Sequence, residues 1–135
     1  MTTNTGKPPL MGDTKAKLQT LWIFAVFNYV YADVLTLFDK SVVTSLTQGA
    51  LFGSAVLVET AIVMVLLSRI LPYRANRWAN IIVALINTLA VLGSLFVATP
   101  HAYYIFFAII EIVTTLTIIW LAWSWNDAEM TEETR

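Results

Sequence analysis

The sequence predicts an all-α polytopic membrane protein: a four-transmembrane-helix bundle with both termini cytoplasmic. Three observations carry this. Hydrophobic residues make up 58% of the 135 residues and charged residues only 13%, about half the charged share of an ordinary soluble domain. Most charges crowd into residues 1–17, 69–77 and 126–135. The long runs between them hold four apolar segments of about 20 residues, the length that crosses ~30 Å of hydrocarbon as a helix.

Span one is 18–38, LQTLWIFAVFNYVYADVLTLF. It is too long for a cleaved signal peptide, carries Asn28 and Asp33, and has no small-residue cleavage pattern after it. Span two is 50–71, span three 79–99 and span four 102–124. None alternates with period two, and each is twice the length of a barrel strand, so all four are helices. Residues 1–17 form a polar, proline-containing, disordered cytoplasmic leader, and residues 125–135 an acidic cytoplasmic tail. The longest connection, DKSVVTSLTQG at 39–49, lies along the outer surface. PYRANRW is a short basic cytoplasmic turn, and TPH a tight outer turn that makes a hairpin of spans three and four. Gly49 and Gly53 form a GxxxG at the start of span two and predict close helix packing there.

Orientation follows from the basic residues. Lys7, Lys15, Lys17, Arg69, Arg74, Arg77 and Arg135 fall on one side and Lys40 alone on the other, which puts both termini inside. Trp22, Trp78, Trp120, Trp123 and Trp125 sit at that same side of the spans, where indole rings favour the interface.

The polar residues within the spans share a depth. Asn28, Glu59, Asn87 and Glu111 each lie near the middle of their span, asparagine in the odd spans and glutamate in the even ones, a hint of two related hairpins. Asp33 lies five residues, ~7.5 Å, beyond Asn28. Asn80, Ala84, Asn87, Val91 and Ser94 form one helical stripe in span three; Tyr104, Ala108, Glu111, Thr115, Ile118 and Ala122 form another in span four. Such small and polar stripes face other helices. Glu59 and Glu111, both at mid-depth and Glu111 on such a stripe, are expected to face the bundle interior as a carboxylate pair.

No Lys, Arg or His shares the depth of Asp33, Glu59 and Glu111, so no internal ion pair compensates them. An unpaired ionised carboxylate is costly there. Either the acids are protonated or a cation from outside neutralises them. Structural glue is the competing reading, in which a protonated glutamate bonds a neighbouring Asn or Thr. Such bonds average only ~0.6 kcal/mol, and an asparagine supplies them more cheaply.

The absence of cysteine and the single histidine, His101, exclude thiol chemistry, disulfides and a multi-histidine metal centre. With net charge −1, no basic stripe and no glycine-rich phosphate loop, neither nucleic acid nor a nucleotide is expected as a partner; no cofactor or metal is expected either.

The stretch LWIFAVFNYVYADVLTLFD, with the four-span layout, resembles small four-helix bacterial membrane proteins grouped as an uncharacterised family. The resemblance covers nearly the whole chain and implies a fold and a bacterial inner-membrane location, but no activity. Small multidrug-resistance exporters and emopamil-binding-type proteins are similar in outline only. The first-helix acid pattern of the former and the histidine-with-acids pattern of the latter do not occur here, so no residue is carried over.

The expected function is proton-linked binding or transport of a small lipophilic or cationic molecule. Glu59, Glu111, Asp33, Asn28 and Asn87 would form the proton and ligand site, with Tyr29, Tyr31 and Phe107 as its aromatic lining. The alternatives are a membrane-embedded acid/base enzyme on a lipid or isoprenoid and a non-catalytic membrane subunit. The expected partners are the lipid bilayer, a small-molecule ligand and, in a homo-oligomer, further copies of the chain.

Overall fold

The computed structural model describes residues 11–97 and 99–125. Five helices follow one another: α1 Met11–Thr36, α2 Lys40–Ser45, α3 Gln48–Ile70, α4 Tyr73–Val97 and α5 Ala102–Ser124. Four of them, all but α2, are long and apolar enough to cross a membrane, and the chain is a multi-pass membrane protein of the expected four-helix class. Helix α1 packs on α3 and α5, and α4 packs on α5 and, least of all, on α3. The four form a ring in the order α1, α3, α4, α5. The chain runs up and down it, leaving the first and last described residues at one end and α2 at the other.

The helix ends follow from local chemistry. Asp39 caps α2, its carboxylate accepting from the Ser41 amide at 3.1 Å and the Ser41 hydroxyl at 2.6 Å. Thr47 caps α3 by accepting from the Ala50 amide at 3.1 Å. Pro72 restricts Leu71 to extended backbone, which stops α3, and then opens α4 without needing an amide proton.

Two boundaries differ from the sequence reading. Helix α1 begins at Met11, so residues 11–17 are helical where a loose leader is expected; residues 1–10 and 126–135 lie outside the described residues. PYRANRW is not a turn: α4 starts at Tyr73. This helical start brings Arg77 to the last turn of α5, where its Nε donates to the Ala122 carbonyl at 3.1 Å and its guanidinium to Trp123 at 3.2 Å. The Tyr73 hydroxyl donates to the Trp125 carbonyl at 2.7 Å. These donors satisfy carbonyls that the end of α5 leaves orphaned and place a cation at its negative pole.

The interior of the terminal half is a polar ladder. The Trp22 indole of α1 donates to Asn80 Oδ1 of α4 at 2.7 Å, and the Ser68 hydroxyl of α3 donates to the same oxygen at 3.1 Å. Seven residues on, ~10.5 Å along the axis, the arrangement repeats. The Tyr29 hydroxyl donates to Asn87 Oδ1 at 3.0 Å, and Asn87 Nδ2 donates to Thr60 Oγ1 of α3 at 3.2 Å. Asn76 joins the first rung, accepting from Asn80 Nδ2 at 2.6 Å and donating to the Ser68 carbonyl at 2.7 Å. Trp22, Ser68, Asn76, Asn80 and Asn87 are all fully buried. Trp22 and Trp125 are therefore core residues and not interfacial anchors, whereas Trp78, Trp120 and Trp123 are exposed at that end.

Candidate functional site

The other half of the bundle does not close. On α3 the buried residues are Ala61, Met64 and Ser68, all in its terminal half; every residue of Gln48–Val56 is exposed. The expected close packing at Gly49 and Gly53 is absent. A Cβ on Gly53 would meet nothing within 4 Å, and one on Gly49 only Thr47 of its own cap. Between this half of α3 and the other three helices lies a crevice of about 360 Å³. It widens toward α2 and the α4–α5 turn into a mouth of about 450 Å³ that shares Asp33, Ser54, Ser94 and Tyr104 with it.

Glu111 of α5 and Asp33 of α1 both line the crevice. Glu111 is 6% exposed. It sits on the α5 stripe of Ala108, Thr115, Ile118 and Ala122, all buried as the spacing predicts. Asp33 is four residues from Tyr29, about 40° around α1 from the buried stripe, so it sits at the rim and is exposed. The other polar neighbours of Glu111 in the crevice are Tyr29, Ser54, Ser94 and Tyr104. The two tyrosine hydroxyls each have one proton to give, and both are committed: Tyr29 to Asn87, and Tyr104 to Ser94 Oγ at 2.6 Å. Ser94 in turn donates to the Val91 carbonyl. Among the described residues no donor bonds the Glu111 carboxyl, and no Lys or Arg lines the crevice or its mouth. At the mouth, His101 Nδ1 stands 3.5 Å from Asp39 Oδ2, tying the start of α2 to the α4–α5 turn. The Ser41 hydroxyl, and after it this histidine, hold the Asp39 carboxyl below the usual carboxylate range.

The chain belongs to the DUF6326 family.

The sequence model of this family, described only as of unknown function, matches residues 10–132, which takes in all four spans and the whole crevice. Comparison with curated proteins and with solved structures returns no match. What the DUF6326 chain does must therefore be read from its own geometry.

That geometry regroups the expected site. The Glu59–Glu111 pair is not formed. Glu59 is exposed, because it lies two residues, about 200°, from Ala61 on the buried stripe of α3. It lines grooves on the outer surface of the bundle and shares no cavity with Glu111. The acid that joins Glu111 is Asp33. Asn28 is also outside the site: its amide donates to the Phe24 carbonyl of its own helix at 2.8 Å. Asn87 supports the crevice from below through Tyr29, with both amide protons and one Oδ1 lone pair spent on its own bonds. Of the aromatic lining only Tyr29 faces the crevice. Tyr31 is again about 200° from it, 61% exposed, and pairs with Phe107 at 5.8 Å between ring centroids, away from the cavity. Sequence reasoning missed Ser54 and named Tyr104 only as a member of the α5 stripe. The seven-residue spacing of Ser54, Ala61 and Ser68 marks the inward face of α3 and could have supplied the first.

Proposed function

We propose that this DUF6326 protein binds a small organic cation in exchange for protons and carries it across a membrane, with Asp33 and Glu111 as the exchanging carboxyls. The observation that carries this reading is the Glu111 carboxyl. It is buried at membrane depth, faces a cavity, and has no hydrogen-bond donor or basic residue against it among the described residues. A carboxylate so placed is stable only when something cationic arrives, and is otherwise best occupied by a proton. Tyr29 and Tyr104 line the cavity, which puts aromatic rings beside a cation bound there. A volume of about 360 Å³ is at the small end of ligand cavities; it suits a compact molecule better than the long-chain lipid or isoprenoid of an acid/base enzyme. Asn80, fully bonded, and Asn87, with both amide protons committed, serve as structure, which leaves the glue reading with them and not with the acids.

The test is calorimetric titration of the purified protein with tetraphenylphosphonium in two buffers of different ionisation enthalpy. The proposal expects saturable binding with release of protons. Binding without proton release, or none, sinks it; turnover of a lipid by the same preparation would favour the enzyme.

The seven-to-one distribution of basic residues supports a cytoplasmic position for both termini and an outward-facing crevice, in a bacterial inner membrane. Alkaline phosphatase fused after Arg135 is expected to be inactive, and a fusion within the 39–47 connection active; the reverse pattern inverts the topology.

Gly53 offers a direct probe of the cavity. Because open space surrounds it, Gly53→Phe is expected to fill the crevice and weaken tetraphenylphosphonium binding at least about tenfold, ~1.4 kcal/mol. Thermal unfolding in detergent should stay near wild type. Undiminished binding would mean that the cation sits elsewhere.

A further inference from the structure

Glu59 is a carboxylate on an exposed face of a spanning helix, in a segment where the outward neighbours Ile62, Val63 and Leu66 are apolar. Lipid cannot compensate it: an acid at the centre of a span is costly. It serves neither the polar ladder nor the Glu111 crevice. It does line a groove of about 360 Å³ between α1 and α3, together with Asp33, Ser54 and Val58. Those three residues also line the crevice that holds Glu111. The groove and the crevice thus meet at one shared wall, and the three acids follow one another from the lipid-facing surface inward: Glu59, Asp33, Glu111. On the crevice side of that wall, a Cβ at Gly53 of α3 would meet nothing within 4 Å.

We infer that the groove between α1 and α3 is a lateral entrance, through which an amphipathic organic cation already dissolved in the bilayer passes from Glu59 to the Asp33–Glu111 site. The inference rests on the proposed cation site and adds the class of its ligand: a lipophilic cation that partitions into membranes and need not be delivered from water. The unpartnered, more than nine-tenths buried Glu111 supplies the destination; Asp33, common to both cavities, supplies the step between; and Glu59 supplies the attraction. A carboxylate at the rim of an apolar groove raises the local concentration of a cation, and so its rate of arrival, without changing its final affinity.

The chain contains no cysteine, so a single one can be placed and modified in the folded protein. Ala55 is exposed and lines the groove but not the crevice. Ala55→Cys is purified, reconstituted in nanodiscs and reacted with pyrenylmaleimide, and tetraphenylphosphonium association is followed against the unreacted variant. The plugged protein is expected to bind with the same Kd and an association rate slower by about tenfold or more; Glu59→Gln, which needs no labelling, should slow it in the same direction. An unchanged rate in both, with binding still abolished by Glu111→Gln, overturns the entrance and leaves the site standing. If wild type fails to bind, or Glu111→Gln binds as wild type does, the site itself falls and the entrance with it. Disulfide formation between Ala55→Cys residues of two copies would put Glu59 in a subunit interface and also overturn the entrance.

Discussion

Replacing Glu111 with glutamine is expected to abolish proton-linked binding of tetraphenylphosphonium while the protein folds normally. Glutamine keeps the size of the side chain and its oxygen, and the native carboxyl forms no bond to the described residues that the change could break. Stability should therefore move by under about 1 kcal/mol. The binding effect is of another order. Removing one partner of a desolvated charge pair costs about 3–5 kcal/mol, so Kd should rise at least about a hundredfold. Infrared spectra give an independent reading. At neutral pH without the cation, wild type should show a protonated-carboxyl band that shrinks in Glu111→Gln and on addition of tetraphenylphosphonium. Retained tight binding by Glu111→Gln would remove Glu111 from any exchange mechanism. Glu59→Gln, by contrast, should alter rates and not equilibrium.

Replacing Asn80 with alanine should be the most damaging single change to the bundle. Asn80 is fully buried and bonds Trp22, Ser68 and Asn76 at once. Each such bond inside a membrane bundle is worth only ~0.6 kcal/mol on average, but the alanine variant strands the indole proton, the serine hydroxyl and the Asn76 oxygen together. The expected cost is about 2–4 kcal/mol, read as a lower unfolding midpoint in a denaturing detergent series. Asn28→Ala is the control. That amide bonds only its own helix, and its loss should fall within about 0.5 kcal/mol. Equal sensitivity of the two would contradict the ladder.

The contrast between these asparagines shows what the sequence could and could not disclose. The number and order of the spans were legible because apolar length and charge placement are properties of the chain alone. The starts of α1 and α4 were not, since charged and polar residues carry both helices beyond their apolar runs. The stripes of α4 and α5 were legible because small and polar residues recur there at helical spacing. On α1 and α3 the polar residue chosen at mid-depth was in each case the wrong one for the interior. Depth says nothing about azimuth: Asn28 is about 100° from the buried Tyr29, and Glu59 about 200° from Ala61. Reading those two helices needed the buried series Leu18, Trp22, Ala25, Tyr29, Ala32 and Ala61, Met64, Ser68, in which aromatic and apolar residues hide the polar partners. The bonds that join α1 to α4 connect residues 58 positions apart, and no local pattern announces them. Turn chemistry misled at Pro72, whose neighbouring arginines suggested a loop when the proline was in fact starting a helix.

The lopsided attachment of α3 has a consequence for how this protein tolerates change. Its terminal half is held through Ala61, Met64 and Ser68, while Gln48–Val56 has no buried residue. A substitution in the first group is judged by folding, whatever else it does. One in the second is nearly free of that judgement, provided it remains compatible with a helix in lipid. A saturation library across residues 48–56 would therefore separate two selective pressures that are usually confounded. Positions there that refuse replacement would be refusing it on behalf of the molecule that uses the crevice, and the pattern of refusals would trace that molecule's size and charge.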